Sequence, residues 1–277
     1  MAIHSLRVVA ATAKVYFTIT WRFSSLSGFA LRFFAPIMTL GAAWVLYNQV
    51  YGGAEALSPE FVSTAGKVSY LSFITIGNAF YVFVFAAAFV VGRVMFWDRA
   101  MGTLEATFIT PMSRLAYMSG VMVAAAANSM IDLAAVFIIG LLFGFQVSSF
   151  NAPLFFSALA LTALALFGIG LIVNAITLSF RDRVNTANTL MILFMVFCGI
   201  VCPVELMPSW AQTVSTFLPL TYGIRLMRVS LLGIEAVDVA GNLVALLVLG
   251  AVYIGVGIVT LRLIERNLRK KALFSVF

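Results

Sequence analysis

The residues able to do chemistry in this chain are few and scattered. Its single histidine, His4, cannot build a His-rich metal site alone. Cys198 and Cys202 are four apart, on one helical face but on successive turns, where a disulfide would staple nothing. Two thiols alone are not a metal site, so both read as small apolar packing residues. A phosphate-cradling loop needs Gly-x-x-x-x-Gly-Lys followed by Ser or Thr. Gly66-Lys67 has neither the earlier glycine nor the following hydroxyl, and no Gly-x-Ser-x-Gly elbow occurs. No catalytic residue and no metal ligand is assigned, and the chain is not expected to be an enzyme. Asp132 is the only acid inside an apolar run, with Asn128 one turn earlier on the same face. An ionisable group at membrane depth is costly and marks a candidate functional site. The structural alternative, a hydrogen bond to a neighbouring helix near Asn78 or Asn174, is preferred over substrate contact or proton relay.

The elements that position these residues are six long apolar runs, roughly Phe29–Tyr51, Val68–Gly92, Leu115–Phe145, Pro153–Leu178, Val184–Val201 and Val239–Leu261. Runs of this length form helices in a bilayer, since hydrocarbon offers the backbone no hydrogen bonds. With 63% hydrophobic and 10% charged residues, the chain has too few polar side chains to cover a soluble surface. The predicted fold is an all-α integral membrane protein, one domain over 1–277, with six transmembrane helices.

Charge placement gives the orientation. If the N-terminus is cytoplasmic, that side holds Arg7, Lys14, Arg22, Arg32, Arg93, Arg99, Arg114, Arg181, Arg183, Arg262, Arg266, Arg269, Lys270 and Lys271. Lys67, Arg225 and Arg228 are left outside, a split of 14 to 3 among the 17 basic residues. Lys and Arg favour cytoplasmic loops, so both termini are expected inside. The net charge of +7 then reflects topology and anionic lipid rather than nucleic acid, because the cations sit at membrane edges. Within residues 1–28, Arg7, Lys14 and Arg22 fall on one helical stripe, with Val9, Tyr16, Ile19 and Phe23 on or toward the other side. That predicts an interfacial helix.

Two segments fit neither a span nor a turn. Residues 93–114 are too long for a turn and too polar to cross, and read as a short amphipathic cytoplasmic helix. Thr103 is its expected N-cap and Pro111 its end. Residues 202–238 are divided by Pro203, Pro208 and Pro219 into apolar pieces too short to span. They predict a pair of short helices dipping into the outer leaflet, with Glu205, Arg225 and Arg228 at headgroup level.

At these segments the chain resembles the membrane subunits of type-2 ABC exporters, which move drugs, lipids or polysaccharides. The first motif is Gly102-Thr103-Leu104-Glu105 followed by Thr110-Pro111 and Arg114. The second is Pro203, Glu205, Pro208-Ser209-Trp210, then Leu218-Pro219-Leu220-Thr221-Tyr222 and Arg225. The resemblance covers essentially the whole chain. It implies that residues 96–111 form a coupling helix seated in a separate ATPase, with Asp98, Arg99, Gly102, Thr103, Leu104, Glu105, Thr110, Pro111 and Arg114 contributing. Many members carry further acids where Arg99 follows Asp98.

The resemblance also implies that 203–232 is a re-entrant pair closing the exit, with Pro203, Glu205, Pro208, Trp210, Pro219, Tyr222, Arg225 and Arg228 as gate residues. Two permease copies, expected as a homodimer, would face each other across a central path beside two copies of the ATPase. ATP and Mg would be held by that partner and no cofactor by this chain. Phe33, Met38, Phe80, Phe83, Met191 and Phe194 are candidates for an apolar path, since aromatic and thioether side chains suit varied cargo. The expected cargo is an apolar or amphiphilic small molecule or lipid; polysaccharide or glycolipid is the alternative, and a secondary transporter or unpowered scaffold the rival class. The expected location is the cell (inner) membrane of a bacterium or archaeon.

Overall fold

The computed structural model describes residues 2–23, 26–50, 69–103, 110, 112–179, 183–234 and 237–270. Among them are ten α-helices and no strand: α1 (Ala2–Phe23), α2 (Leu26–Val45), α3 (Tyr70–Phe85), α4 (Val94–Ala100), α5 (Arg114–Phe143), α6 (Ala152–Ser179), α7 (Arg183–Phe197), α8 (Ser209–Thr216), α9 (Pro219–Leu232) and α10 (Val239–Lys270). The all-α expectation holds.

Among the described residues three helices are long and apolar enough to cross a membrane: α5, α6 and α10, at the third, fourth and sixth apolar runs. At the other three runs lie shorter apolar helices, Pro36–Val45 within α2, α3, and Asn188–Phe197 within α7. Both α2 and α3 run directly into a π turn, Leu46–Val50 and Ala86–Val91. The outside of the bundle is apolar, as lipid contact requires: Val244, Leu247, Val248, Val252 and Val259 of α10 are all more than half exposed.

Packing divides the bundle into two groups. α5 carries α1, α2 and α3 along its length, while α6 carries α10 and α9. α3 and its π turn touch both groups and join them. The core at this junction contains Ile76, Phe80, Phe83, Leu166, Phe194, Ile200, Leu220 and Ile224, each 2% exposed or less. A π turn leaves backbone groups out of the regular helical ladder. Here α6 supplies partners: Asn174 Nδ2 donates to the Val91 carbonyl at 3.0 Å and Thr177 Oγ1 to the Gly92 carbonyl at 2.9 Å. Both side chains are fully buried. Asn174 therefore serves the backbone of α3 rather than Asp132. Asn78 does likewise, donating to the Ile74 carbonyl at 3.2 Å.

The N-terminal helix forms where the charge stripe predicts it. Its Arg7, Lys14 and Arg22 are exposed, and so are Leu6, Phe17 and Trp21 beside them. Tyr16 turns toward α5, whereas Ile19, expected on the shielded side, is 45% exposed.

Candidate functional site

Two places carry the polar residues that the sequence singled out. The first is the join between α4 and α5. The predicted amphipathic helix begins early: α4 spans Val94–Ala100 and ends at Gly102, whose φ of 70° is the left-handed geometry of a helix stop. Thr103 follows, but not as the expected N-cap. Its amide and hydroxyl both donate to the Asp98 carbonyl, at 2.8 and 3.1 Å, and so close the helix behind it. The N-cap in this region is Ser113, which accepts from the Ala116 amide at 3.1 Å and opens α5. Leu104, Glu105 and Pro111 lie outside the described residues. Thr110 is exposed, Arg114 is half-buried in the first turn of α5, and Arg99 lies on α4.

Asp98 is buried, and its carboxylate points into the protein. Tyr117 of α5 donates to Oδ2 at 2.7 Å. Tyr16 of α1 sits 2.6 Å from the Tyr117 hydroxyl and 3.3 Å from Oδ1. By the shortest distances, the proton chain runs from Tyr16 to Tyr117 to Asp98. The two phenol rings meet edge to face, their centroids 6.1 Å apart. Burial lifts the Asp98 carboxyl above its ordinary range, against the lowering effect of the Tyr117 and Tyr16 hydrogen bonds. Burial also pushes the Tyr16 phenol up to about 12, so it remains a donor. Three segments thus converge on one carboxyl group: α1, α4 and the first long apolar helix, α5. Sequence reasoning missed both tyrosines; their hydroxyls at the polar edges of apolar stretches were the available signal.

The second place is the segment between α7 and α10. Its two short helices, α8 and α9, lie where the prolines predicted them, with Pro219 opening α9. Trp210 stacks edge-on against Phe197, and Tyr222 donates to the Thr216 carbonyl at 2.9 Å. Ser215 ties α8 to the end of α7 through the Phe197 carbonyl at 2.5 Å. Pro203 is buried and Pro208 exposed. Arg225 and Glu205 form an ion pair at 2.7 Å, both partly exposed.

Arg228 departs from expectation. It is only 6% exposed and is enclosed by protein rather than displayed beside Arg225. Its Nη2 donates to the carbonyls of Gly199 at 2.8 Å and Phe73 at 3.2 Å, with a longer contact to Ile200 at 3.5 Å. The guanidinium carbon lies 3.3 Å from the centre of the Phe73 ring. Gly199 has a φ of 74° just past the end of α7, so Arg228 neutralises a helix C-terminus. Between these groups lies a cleft of about 160 Å³ lined by Phe73, Cys198, Thr221, Glu205, Arg225 and Arg228, among others.

A family model described as ABC-2 type transporter matches residues 7–232, from the first helix through the end of α9. The chain belongs to the ABC-2 type transporter family. It is accordingly a multi-pass membrane component, a permease subunit of a family that normally works with an ATPase subunit. Nodulation protein J of Rhizobium leguminosarum bv. trifolii is 39% identical over 89 residues, which is 32% of this chain. The match spans about a third of that relative, 34% of its length.

The residues proposed for a path in this ABC-2 permease do not form one surface. Phe80, Phe83 and Phe194 belong to the chain's own core, because α3 and α7 pack there against α6 and α9. Met38 is exposed, and Phe33 and Met191 are half-buried. Only these three present surface that a path could use in this arrangement. Asn128 is buried and its Nδ2 donates to the Ala124 carbonyl at 3.0 Å; Asp132 is half-buried one turn on. Among the described residues no group of three or more His, Cys, Asp or Glu could hold a metal ion.

Proposed function

We propose that this permease is the membrane half of an ATP-driven exporter that moves an apolar or amphiphilic small molecule or lipid outward. Two copies pair around a path, and two copies of a separate ATPase, holding ATP and Mg, drive them from the cytoplasmic side. The observation that carries this reading is the family match over residues 7–232. That span includes both the segment around α4 and the α8–α9 pair. In this reading, closure of the ATPases moves residues 94–111, and α4 passes the motion to the bundle through Asp98. The α8–α9 segment closes the outer end, and both termini are cytoplasmic. The family match gives the secondary-transporter rival no support.

Co-expression with an ABC ATPase encoded beside this chain, followed by reconstitution in proteoliposomes, tests the proposal. Stable co-purification and ATP-dependent efflux of an amphiphile are expected, abolished by a hydrolysis-dead ATPase. Transport that persists without ATP, or a chain that never associates with the ATPase, would sink it. Parallel arms with a glycolipid and an oligosaccharide separate the substrate classes.

A further inference from the structure

We infer that the cleft beneath α9 is a binding site for an oxyanion, the phosphate of a lipid headgroup or a free phosphate-like ion, with Arg228 as its buried cation. The inference does not need the export reading. A guanidinium has five donor hydrogens. All three hydrogen bonds of Arg228 leave from Nη2 and end on neutral carbonyls, and its Nε donor has no acceptor. Carbonyls and the Phe73 ring solvate the cation without cancelling its charge. Among the described residues no carboxylate stands within ion-pair distance of it. A buried charge with no counter-ion in direct contact is costly, and the cleft beside it is where one fits.

The other charges on the cleft leave that balance positive. Glu205 also lines it, but its carboxylate is taken by Arg225 at 2.7 Å. The remaining wall is largely apolar, with Phe73, Pro203, Val204, Ile234 and Val237 beside Thr221. Such a wall suits an oxyanion on an apolar stem. The cleft of about 160 Å³ holds such a group with several waters.

The test places a thiol at the rim. Val237→Cys is introduced into a chain carrying Cys198→Ala and Cys202→Ala, and its rate of labelling by a small impermeant reagent is measured. One arm uses nanodiscs of phosphatidylglycerol against phosphatidylcholine. The other uses delipidated protein in detergent titrated with inorganic phosphate. Slower labelling in phosphatidylglycerol alone identifies a lipid headgroup; slower labelling with phosphate identifies a free oxyanion. Both support the site.

Two charge variants then fix its location. Arg225→Gln frees the Glu205 carboxylate to repel the ligand and should weaken protection by roughly fivefold. Glu205→Gln should strengthen it. Labelling unchanged by every anion, or protection that both variants leave alone, would show that Arg228 only caps α7 and would overturn the site. Neither variant touches the Arg228 carbonyl bonds, so cooperative melting in both keeps the result readable.

Discussion

Tyr117 and Asp98, nineteen residues apart, share a 2.7 Å hydrogen bond that turns a predicted docking carboxylate inward. Because burial raises the Asp98 carboxyl, the folded protein holds its proton more tightly than the unfolded chain. This contribution to stability is fully present below the ordinary carboxylate range and is lost as pH rises through the raised value. Tyr117→Phe removes the stronger lowering bond and should push that window to higher pH. Hydrogen exchange of residues 94–103 across a pH series measures it; an identical profile in wild type and variant would refute the assignment.

Arg225 and Arg228 should differ in kind. Arg225→Gln breaks a partly exposed ion pair and should cost less than about 1 kcal/mol. Arg228→Gln strips a charged donor from buried carbonyls and should cost about 2–3 kcal/mol. Thermal unfolding in one detergent compares them. Equal losses would mean that burial of Arg228 is not what holds the end of α7. A double Arg225→Glu, Arg228→Glu variant should accordingly fail in folding before it fails in transport.

Gly77 of α3 faces the backbone of Ile200, where an added Cβ would stand 2.6 Å from the carbonyl oxygen. Gly77→Ala should therefore destabilise by about 1–3 kcal/mol through overpacking, outweighing its gain in helix propensity. Gly255→Ala on α10 meets nothing within 4 Å and is the control, expected to be neutral or stabilising. A melting temperature unchanged by Gly77→Ala would show that this contact is loose.

Topology is tested with single cysteines at Glu55, Gln212 and Leu273 in a Cys198/Cys202-free background. An impermeant reagent on intact cells should label 55 and spare 273. The opposite pattern would invert the orientation inferred from basic residues.

At the segment proposed to dock the ATPase, Glu105→Arg should weaken assembly with the ATPase while insertion stays normal. Wild-type co-purification and transport would remove Glu105 from the docking surface.

The apolar runs were legible because burial in lipid acts on every residue of a span, so three long helices stand where hydropathy put them. Prolines likewise marked the short helices α8 and α9, since each one interrupts the backbone donor pattern. That Arg225 and Glu205 sit together was readable, since both fall in one proline-divided segment. Arg228, three residues on, was not. Whether a cation faces water or carbonyls depends on α3 and the end of α7, and that packing leaves no local trace. Asp98 failed for the same reason: a charge in a polar segment suggests an exposed surface, and only tertiary contact brought Tyr16 and Tyr117 over it.

The break at Ala86–Val91 gives the molecule a fixed fulcrum. An interrupted helix standing alone would swivel at its irregular turn and absorb a push from α4 as a bend. Asn174 and Thr177 rivet that turn to α6 at two successive carbonyls. In the proposed coupling, a displacement of residues 94–103 would be delivered across the bundle, to α6 and its close neighbour α10, instead of being spent locally. In mechanical terms α3 is the lever and α6 the load, and the stiffness of the linkage rests on two uncharged side chains.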